Sequence, residues 1–272
     1  MIRQRFSLTG YPLPRDAQGK TFFDKSPGFQ RLERAFRQLT AEPGLGVLTA
    51  DAGVGKTAAL RHLCSQLPRP DYLVLYLCAL TEPFDFYRAL AWETGLRPAH
   101  RRIDLWASLK KHLLHLAEER NVTPVLVLDE AQHLSDTFLI DLSSFLNFAF
   151  DSRDLLTLWL VGLPALGRHL RMQQHAPLAM RIVHSIHLEP LDREAFRAMV
   201  DHAFLAAGAT QTLLADSARE LLFRSSRGTP RIAAQLLRRA LDHADERNQN
   251  FIDDHVMECA IEQALAGQGV LA

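Results

Sequence analysis

Five short apolar runs, separated by segments of helical periodicity, constrain the fold of this chain more than any other feature. They begin at residues 44, 72, 124, 156 and 181 and read GLGVLTA, YLVLYLCA, PVLVLDE, LTLWLVG and RIVHSIHLEP. They lack strict alternation of apolar and polar residues, as expected for strands covered on both faces. Strands that alternate with helices predict an α/β fold, a parallel sheet flanked by helices.

The strand signal stops after Glu189-Pro190, and only helical patterns follow. Four helical segments are predicted, near 192–207, 214–225, 230–245 and 253–266. Thr229-Pro230 predicts a helix start with Thr as the cap, and Ser26-Pro27 predicts another. We therefore expect an irregular N-terminal arm (1–25), an α/β domain (26–190) and a small all-helical domain, here called the lid (191–272).

Composition limits the class of protein. Hydrophobic residues make up 47% of the chain, which predicts a packed core, and 31 basic residues balance 31 acidic ones. Any nucleic-acid surface must therefore be a local patch. Three distant cysteines without a C-x-x-C pair argue against disulfides and a zinc site. No apolar run is long enough for a signal peptide or a membrane span, so we expect a soluble cytoplasmic protein without a membrane partner.

The loop after the first apolar run carries the pattern of a phosphate-binding loop, G-x-x-x-x-G-K-[ST], except that Ala50 replaces the first glycine. Gly53 and Gly55 permit close approach of the backbone, Lys56 can reach the β- and γ-phosphates, and the Thr57 hydroxyl can hold Mg²⁺. The predicted cradle comprises Asp51, Ala52, Gly53, Val54, Gly55, Lys56, Thr57 and Ala58. A helix behind the loop adds its dipole. Alanine at position 50 costs little if its φ is negative.

Two acidic residues end the third apolar run, about 70 residues further on. Asp129 is expected to act through the magnesium shell, and Glu130 to orient and activate the attacking water. Acidic residues at the end of a strand are also common as solvated groups. Their position on a buried strand after a phosphate loop favours the functional interpretation.

Two arginines complete the predicted catalytic set. Arg181 precedes the last strand and is placed to act as an arginine finger on a neighbouring subunit. Arg231 lies in the first turn of a lid helix, from which it could contact the γ-phosphate; Arg227 is the alternative for that role. Surface ion pairs are the ordinary alternative for both arginines.

Several motifs together resemble those of the AAA+ ATPases, and within them the ExeA/TniB/TnsC group. They are GVLTADAGVGKTAALRHL (Walker A), VLVLDEAQHL (Walker B), LWLVGLPALGRHL, RIVHSIHLEPLDREAF and SRGTPRIAAQLLRRAL, and the resemblance runs from Phe6 to Leu241. It implies an ATPase using ATP and Mg²⁺ that assembles into rings or filaments on double-stranded DNA. Transposon-encoded members recruit or stimulate a transposase, in some cases with a targeting protein. By the same resemblance Arg181 acts in trans and Arg231 is the second sensor.

This chain departs from the group's pattern in two places. Gly162-Leu163-Pro164 stands where the group often has Gly-Gln-Pro, so a polar first sensor is not evident and slow hydrolysis is expected. Ala50 in place of the first glycine of the phosphate loop also favours slow hydrolysis. The secretion-associated branch usually continues into a membrane segment, and its absence here favours the DNA branch. A secretion-associated ATPase without DNA and a helicase-loader-like ATPase remain alternatives.

A basic cluster follows the second strand and precedes a predicted helix. It comprises Arg97, His100, Arg101 and Arg102, with Lys110 and Lys111 further along the helix. In similar family members this region lines the inner surface of the filament, where cations contact phosphates independently of sequence. The alternative, a solvated helix face, is favoured for Lys110 and Lys111 and stays open for Arg101 and Arg102.

Other residues with ligand or aromatic chemistry receive simpler interpretations. His112 and His115 share a helix face but have no third ligand at a suitable spacing, so we expect a helix surface rather than a metal site. Trp92, Trp106 and Trp159 are expected in the core. Phe22 and Phe23 are placed to flank an adenine.

Overall fold

The five predicted strands form one parallel sheet. The computed structural model describes residues 5–78, 82–148 and 153–269. Its strands are β1 (Leu45–Ala50), β2 (Tyr72–Cys78), β3 (Thr123–Asp129), β4 (Thr157–Gly162) and β5 (Ile182–Leu188), in the order β2-β3-β4-β1-β5. Every neighbouring pair is parallel. The predicted α/β fold, a phosphate-loop sheet flanked by helices and followed by a helical lid, is confirmed.

Helices connect the strands and make up the last third of the chain. They are α1 (Pro27–Ala41), α2 (Lys56–Ser65), α3 (Pro83–Glu93), α4 (Arg102–Glu118), α5 (Asp136–Phe145), α6 (Pro164–Leu170), α7 (Ala176–Ala179), α8 (Arg193–Ala206), α9 (Asp216–Ser226), α10 (Pro230–Glu246) and α11 (Asp254–Gly269). Short 3₁₀ helices cover Gly19–Thr21, Ala131–His133 and Gln173–His175. No helix in these described ranges is long and apolar enough to cross a membrane.

The structure corrects two details of the predicted elements. The outer strands β2 and β5 alternate between covered and exposed residues, whereas β1, β3 and β4 are buried almost throughout. An outer strand has a neighbour on one side only, so less of its surface is covered. The helical pattern of residues 136–150 predicts a helix longer than α5, which ends at Phe145; positions 149 and 150 lie outside the described residues.

The chain divides into two compact units, each with its own hydrophobic core. The sheet unit comprises Gly28–Asp51 and Leu63–Leu188. Its core joins apolar residues of β1 to β4 with one face each of α3, α4 and α5, and Phe86, Phe138 and Phe145 lie at its centre. This core supports the carboxyl-terminal ends of the strands, where the loops begin.

The lid unit comprises Met1–Pro27, Ala52–His62 and Glu189–Ala272. Its core is formed by helices α8 to α11 together with Phe6 and Leu8 of the N-terminal arm, both almost completely buried. The Thr9 N–H donates to the Ala207 carbonyl oxygen at 2.8 Å, and Arg5 forms an ion pair with Asp245 at 2.6 Å. The arm is therefore an integral part of this unit.

Candidate functional site

Glycines shape the loop that follows β1. Gly53 has φ +84° and Gly55 has φ +114°, a region of backbone space that other residues adopt only under strain. Helix α2 begins directly afterwards at Lys56, a largely buried residue, and the Ala59 N–H donates to the Gly55 carbonyl oxygen at 2.9 Å. Backbone turned by glycines into a helix N-terminus is suited to bind phosphate.

Ala50, in place of the usual first glycine, is compatible with this loop. It is the last residue of β1, is fully buried, and pairs with Leu188 of β5. A residue in a strand has an extended backbone with negative φ, which any amino acid can adopt. The alanine Cβ therefore adds no backbone strain at this position.

The start of lid helix α10 contacts the loop within the lid unit. The Arg231 N–H donates to the Gly53 carbonyl oxygen at 3.2 Å. A Cβ on Gly53 would lie 3.0 Å from Arg231 Cβ and 3.1 Å from Thr229 Cγ2. The prediction that Thr229 caps this helix is correct in position but wrong in mechanism, because its side chain makes no capping hydrogen bond. Its methyl group faces Gly53 instead.

Gly228 fixes the approach to α10. It has φ +71°, its carbonyl oxygen accepts from the Leu191 N–H at 3.0 Å, and a Cβ there would lie 2.0 Å from the Leu191 carbonyl oxygen. Only glycine fits. The preceding residue, Arg227, also has positive φ (+49°) and an exposed side chain. The Ser-Arg-Gly-Thr-Pro-Arg motif thus places Arg231 through close backbone packing.

Part of the N-terminal arm packs on the helix that carries Lys56. The Phe22 ring stacks on the His62 ring with centroids 4.3 Å apart, and the Gly19 N–H donates to His62 Nδ1 at 3.2 Å. Phe23 lies beside His202, with centroids 5.9 Å apart. The adenine-flanking role of the two phenylalanines stays a prediction.

In the sheet unit, Asp129 is held at the end of β3. It is almost fully buried, its Oδ2 accepts from the Tyr76 hydroxyl at 2.9 Å, and its Oδ1 accepts from the Glu130 N–H at 2.9 Å. Partial burial, then the hydrogen bond to Asp129, raises the pKa of Tyr76, so this hydroxyl stays protonated and donates. Sequence reasoning missed Tyr76, which only the pairing of β2 with β3 brings to Asp129.

Glu130 is exposed and has φ +56°, a conformation uncommon for a non-glycine residue. Gln132 Nε2 donates to Glu130 Oε2 at 2.7 Å, and Gln132 Oε1 accepts from the Leu163 N–H at 3.0 Å. A Cβ on Gly162 would lie 2.5 Å from Gln132 Oε1. Gln132, which sequence reasoning missed, therefore links the catalytic candidate Glu130 to the end of β4.

This bridge lies next to the position where a polar first sensor was not evident. The Leu163 side chain offers no hydrogen bond, but its N–H orients the Gln132 amide. The only sequence signal for the bridge is Gly162, whose missing side chain leaves room for that amide.

Arg181 lies in the turn before β5. Asp129 is the last residue of β3, and Arg181 directly precedes β5. In a parallel sheet, Asp129 therefore lies at the carboxyl-terminal ends of the strands and Arg181 at their amino-terminal ends. A strand of this length spans roughly 20 Å. Partial burial, followed by the charge of Arg181, lowers the pKa of Lys110. The neighbouring Met180 is 87% exposed.

The four predicted DNA contacts differ in their surroundings. Arg97 and Arg101 have exposed side chains. Arg102 forms an ion pair with Asp141, which also accepts from the Tyr87 hydroxyl. Lys110 donates to the Asn147 carbonyl oxygen, and its Nζ lies 4.5 Å from the ring centroids of both Trp106 and Phe148.

The remaining predictions on histidines and tryptophans are partly confirmed. Trp159 is fully buried and Trp106 packs against the core, but Trp92 is 68% exposed, so its core assignment is wrong. It lies at the end of α3, where the helix turns its side chain away from the sheet unit's core. His115 Nδ1 lies 3.0 Å from Glu119 Oε2, and both side chains are exposed, in keeping with a helix surface.

Comparison with known proteins finds two domain families that match parts of this chain. Residues 39–170 match the AAA domain, and residues 204–265 match the RuvB AAA lid domain. General secretion pathway protein A of Aeromonas hydrophila is 32% identical over 256 residues, which cover 93% of this chain and 46% of that protein. The chain thus spans less than half the length of this relative.

Solved structures agree on the fold. The ORC2 protein of Aeropyrum pernix in its ADP form has a TM-score of 0.71 at 12% identity, covering 96% of this chain and 72% of that one. The ORC1 protein of the same organism in complex with DNA has a TM-score of 0.68 at 18% identity, covering 93% of this chain and 68% of that one. The phosphate loop, the helical lid and these matches together show the AAA+ fold.

Proposed function

We propose that this chain binds and slowly hydrolyses ATP with Mg²⁺, and that bound ATP drives its assembly on double-stranded DNA as a regulator of transposition. Nucleotide binding is supported by the loop before α2, in which Gly53 and Gly55 have positive φ. The start of the lid helix is hydrogen-bonded to this loop through the Arg231 N–H. The domain division of 26–190 and 191–272 belongs to this proposal.

The loop residues 51–58 supply backbone N–H groups for the phosphates, and Lys56 pairs with the β- and γ-phosphates. Thr57 and Asp129 hold Mg²⁺, which when bound neutralises charge on the phosphates. The buried carboxylate of Asp129, fixed by two hydrogen bonds, suits that role. Arg231 reports the nucleotide state to the lid.

Glu130 orients and activates the attacking water. The Gln132 amide holds Oε2 of this carboxylate, so the other oxygen, Oε1, is available to accept a proton. Slow hydrolysis follows from the apolar Leu163 side chain, which supplies no polar first sensor. Slow hydrolysis suits a switch more than a motor.

Arg181 serves the nucleotide of an adjacent subunit, which makes assembly into a ring or filament depend on ATP. Arg181 lies at the opposite end of the strands from Asp129, which supports a role on the nucleotide of another subunit rather than its own. Arg97 and Arg101 lie exposed and contact the DNA backbone, with Arg102 and Lys110 in supporting positions. The assembled form recruits a transposase, with or without a separate targeting protein.

A second candidate function is that of a secretion-associated ATPase that acts without DNA. The 32% identity to general secretion pathway protein A supports it. The two candidates share the nucleotide chemistry and differ in whether DNA is a partner.

The test is electron microscopy and fluorescence anisotropy of the full chain with a labelled duplex, with and without a slowly hydrolysed ATP analogue. We expect ATP-dependent assemblies on DNA for the wild type and for the control Lys111→Ala, and none for Lys56→Ala. Glu130→Gln is expected to bind ATP and to remain on DNA longer than the wild type.

The outcomes separate the candidates. ATP binding without DNA binding would refute the transposition proposal and favour the secretion-associated one. ATP-dependent assemblies formed by Lys56→Ala would refute the role of Lys56. Calorimetry that detects no binding of ATP with Mg²⁺ would refute both candidates.

A further inference from the structure

One carboxylate and two imidazoles converge in the sheet unit, on elements that follow Gln132 and Leu163 in the chain. Asp136 is the first residue of α5, His169 lies in α6, and His175 ends the 3₁₀ helix Gln173–His175. Asp136 Oδ1 lies 2.6 Å from His169 Nε2 and 2.9 Å from His175 Nε2. These three ligand atoms all lie within 4.8 Å of one another.

The donor set matches the preference of a divalent transition-metal ion. Two imidazole nitrogens and one carboxylate oxygen are ligands that Zn²⁺ takes in tetrahedral geometry, with bonds of roughly 2.0–2.2 Å. Tetrahedral ligands at such bond lengths lie about 3.3 Å apart. Asp136 Oδ1 is closer than this to both nitrogens. It must move away from them by about half an ångström, which a rotation of the Asp136 side chain provides.

The burial of the three residues provides both rigidity and access. The His175 side chain is fully buried, that of His169 is 22% exposed, and that of Asp136 is 55% exposed. The two imidazole rings meet edge to face at 5.0 Å, so each restricts the other. The exposed side leaves room for an ion to enter and for water as a fourth ligand.

The charge of the cluster also suits a cation. Asp136 Oδ1 lies beside both imidazole nitrogens, and a carboxylate oxygen is a ligand that Zn²⁺ takes. A hydrogen-bonded cluster without a metal would have the same contacts, with each Nε2–H donating to Oδ1. Metal binding through Nε2 replaces these two N–H donors, and the proton of each neutral imidazole moves to Nδ1, so no net proton is released.

We propose that Asp136, His169 and His175 bind one divalent transition-metal ion, with Zn²⁺ the best fit and water as the fourth ligand. The ion joins the start of α5 to α6 and to the segment that leads, six residues later, to Arg181. It therefore stiffens the connection before β5, independently of any nucleotide.

The test is metal binding by the untagged full chain without nucleotide. Zn²⁺ is titrated calorimetrically, and Co²⁺ is added as a spectroscopic probe because tetrahedral Co²⁺ absorbs strongly in the visible range. The variants are Asp136→Asn and His169→Gln, whose side chains are partly exposed and so leave the fold intact. The control variants are His112→Gln with His115→Gln, and Cys259→Ser, whose thiol lies 3.6 Å from His255 Nδ1.

We expect one Zn²⁺ per chain and a tetrahedral Co²⁺ spectrum without a thiolate charge-transfer band. Loss of one ligand in either variant weakens binding by at least about 100-fold, while the controls bind as the wild type does. Excess Zn²⁺ raises the Tm of the wild type but not of the two variants. A wild type that binds no better than Asp136→Asn overturns the proposal, and so does loss of the ion in Cys259→Ser.

Discussion

The Arg231 N–H donates to the Gly53 carbonyl oxygen at 3.2 Å, so the first turn of lid helix α10 is bonded to the backbone of the phosphate loop. In a planar trans peptide the C=O and the following N–H point in opposite directions. The bond therefore turns the Val54 N–H away from the lid helix. The position of the lid helix thereby sets the orientation of an amide in the loop.

Replacing Gly53 by alanine is expected to weaken ATP binding at least about tenfold, because φ +84° strains an L-residue by roughly 1–2 kcal/mol and the new Cβ would meet Arg231 and Thr229. The matched control is Ala50→Gly, the reverse exchange at the last residue of β1, directly before the loop. Calorimetric titration with ATP and Mg²⁺ measures both. Equal affinities for Gly53→Ala and the wild type would contradict the loop geometry.

Gly228→Ala is expected to be more destabilising than Gly208→Ala, although both glycines have positive φ, +71° and +90°. At Gly228 the Cβ would lie 2.0 Å from the Leu191 carbonyl oxygen, whereas at Gly208 the nearest atom is Thr9 Cγ2 at 3.3 Å. The difference in free energy of unfolding should reach about 2 kcal/mol, the usual cost of overpacking. Urea unfolding followed by circular dichroism measures it, and equal losses would show that strain alone decides both sites.

Gln132→Leu is expected to lower kcat for ATP hydrolysis by about tenfold, because it removes the hydrogen bond that holds the Glu130 carboxylate. ATP affinity should change little, because Gln132 is not part of the phosphate loop. Gln132→Glu keeps an acceptor for the Leu163 N–H but puts a second carboxylate beside Glu130, so its kcat should fall as well. His133→Ala, in the same turn, is the control. A raised KM at unchanged kcat would assign Gln132 to binding instead.

The double variant Arg97→Ala with Arg101→Ala is expected to weaken DNA binding and to reduce the slope of log K against log salt by about 2, since each phosphate contact contributes roughly 0.9. Lys111→Ala, on the exposed face of the adjacent helix, is the control. Arg102→Ala should have a smaller effect because its guanidinium is paired with Asp141. An unchanged slope in the double variant would place the DNA surface elsewhere.

Local patterns were sufficient to predict the strands and the lid helices. Each of these patterns determines the structure of only a few neighbouring residues, so it can be recognised in the sequence. Examples are the apolar runs, the loop glycines and Thr229-Pro230. The bonds from Tyr76 to Asp129 and from Gln132 to the Leu163 N–H depend on strand order, which joins residues far apart in the chain.

The same limit explains two other features that sequence reasoning missed. The approach of His169 and His175 to Asp136 depends on the packing of short helices that carry no strong periodicity. The exposure of Trp92 is decided by which side of α3 meets the core, and a large aromatic side chain alone does not indicate that side.

Phe6 and Leu8 pack in the lid core against helices that are synthesised much later than they are. Arg5 and its partner Asp245 are 240 positions apart, so this segment meets its partners only after the intervening chain has been synthesised. Contacts of such long range form slowly and leave apolar groups uncovered in the meantime. During synthesis the apolar side chains of Phe6 and Leu8 therefore stay uncovered until helices α8 to α11 have been made.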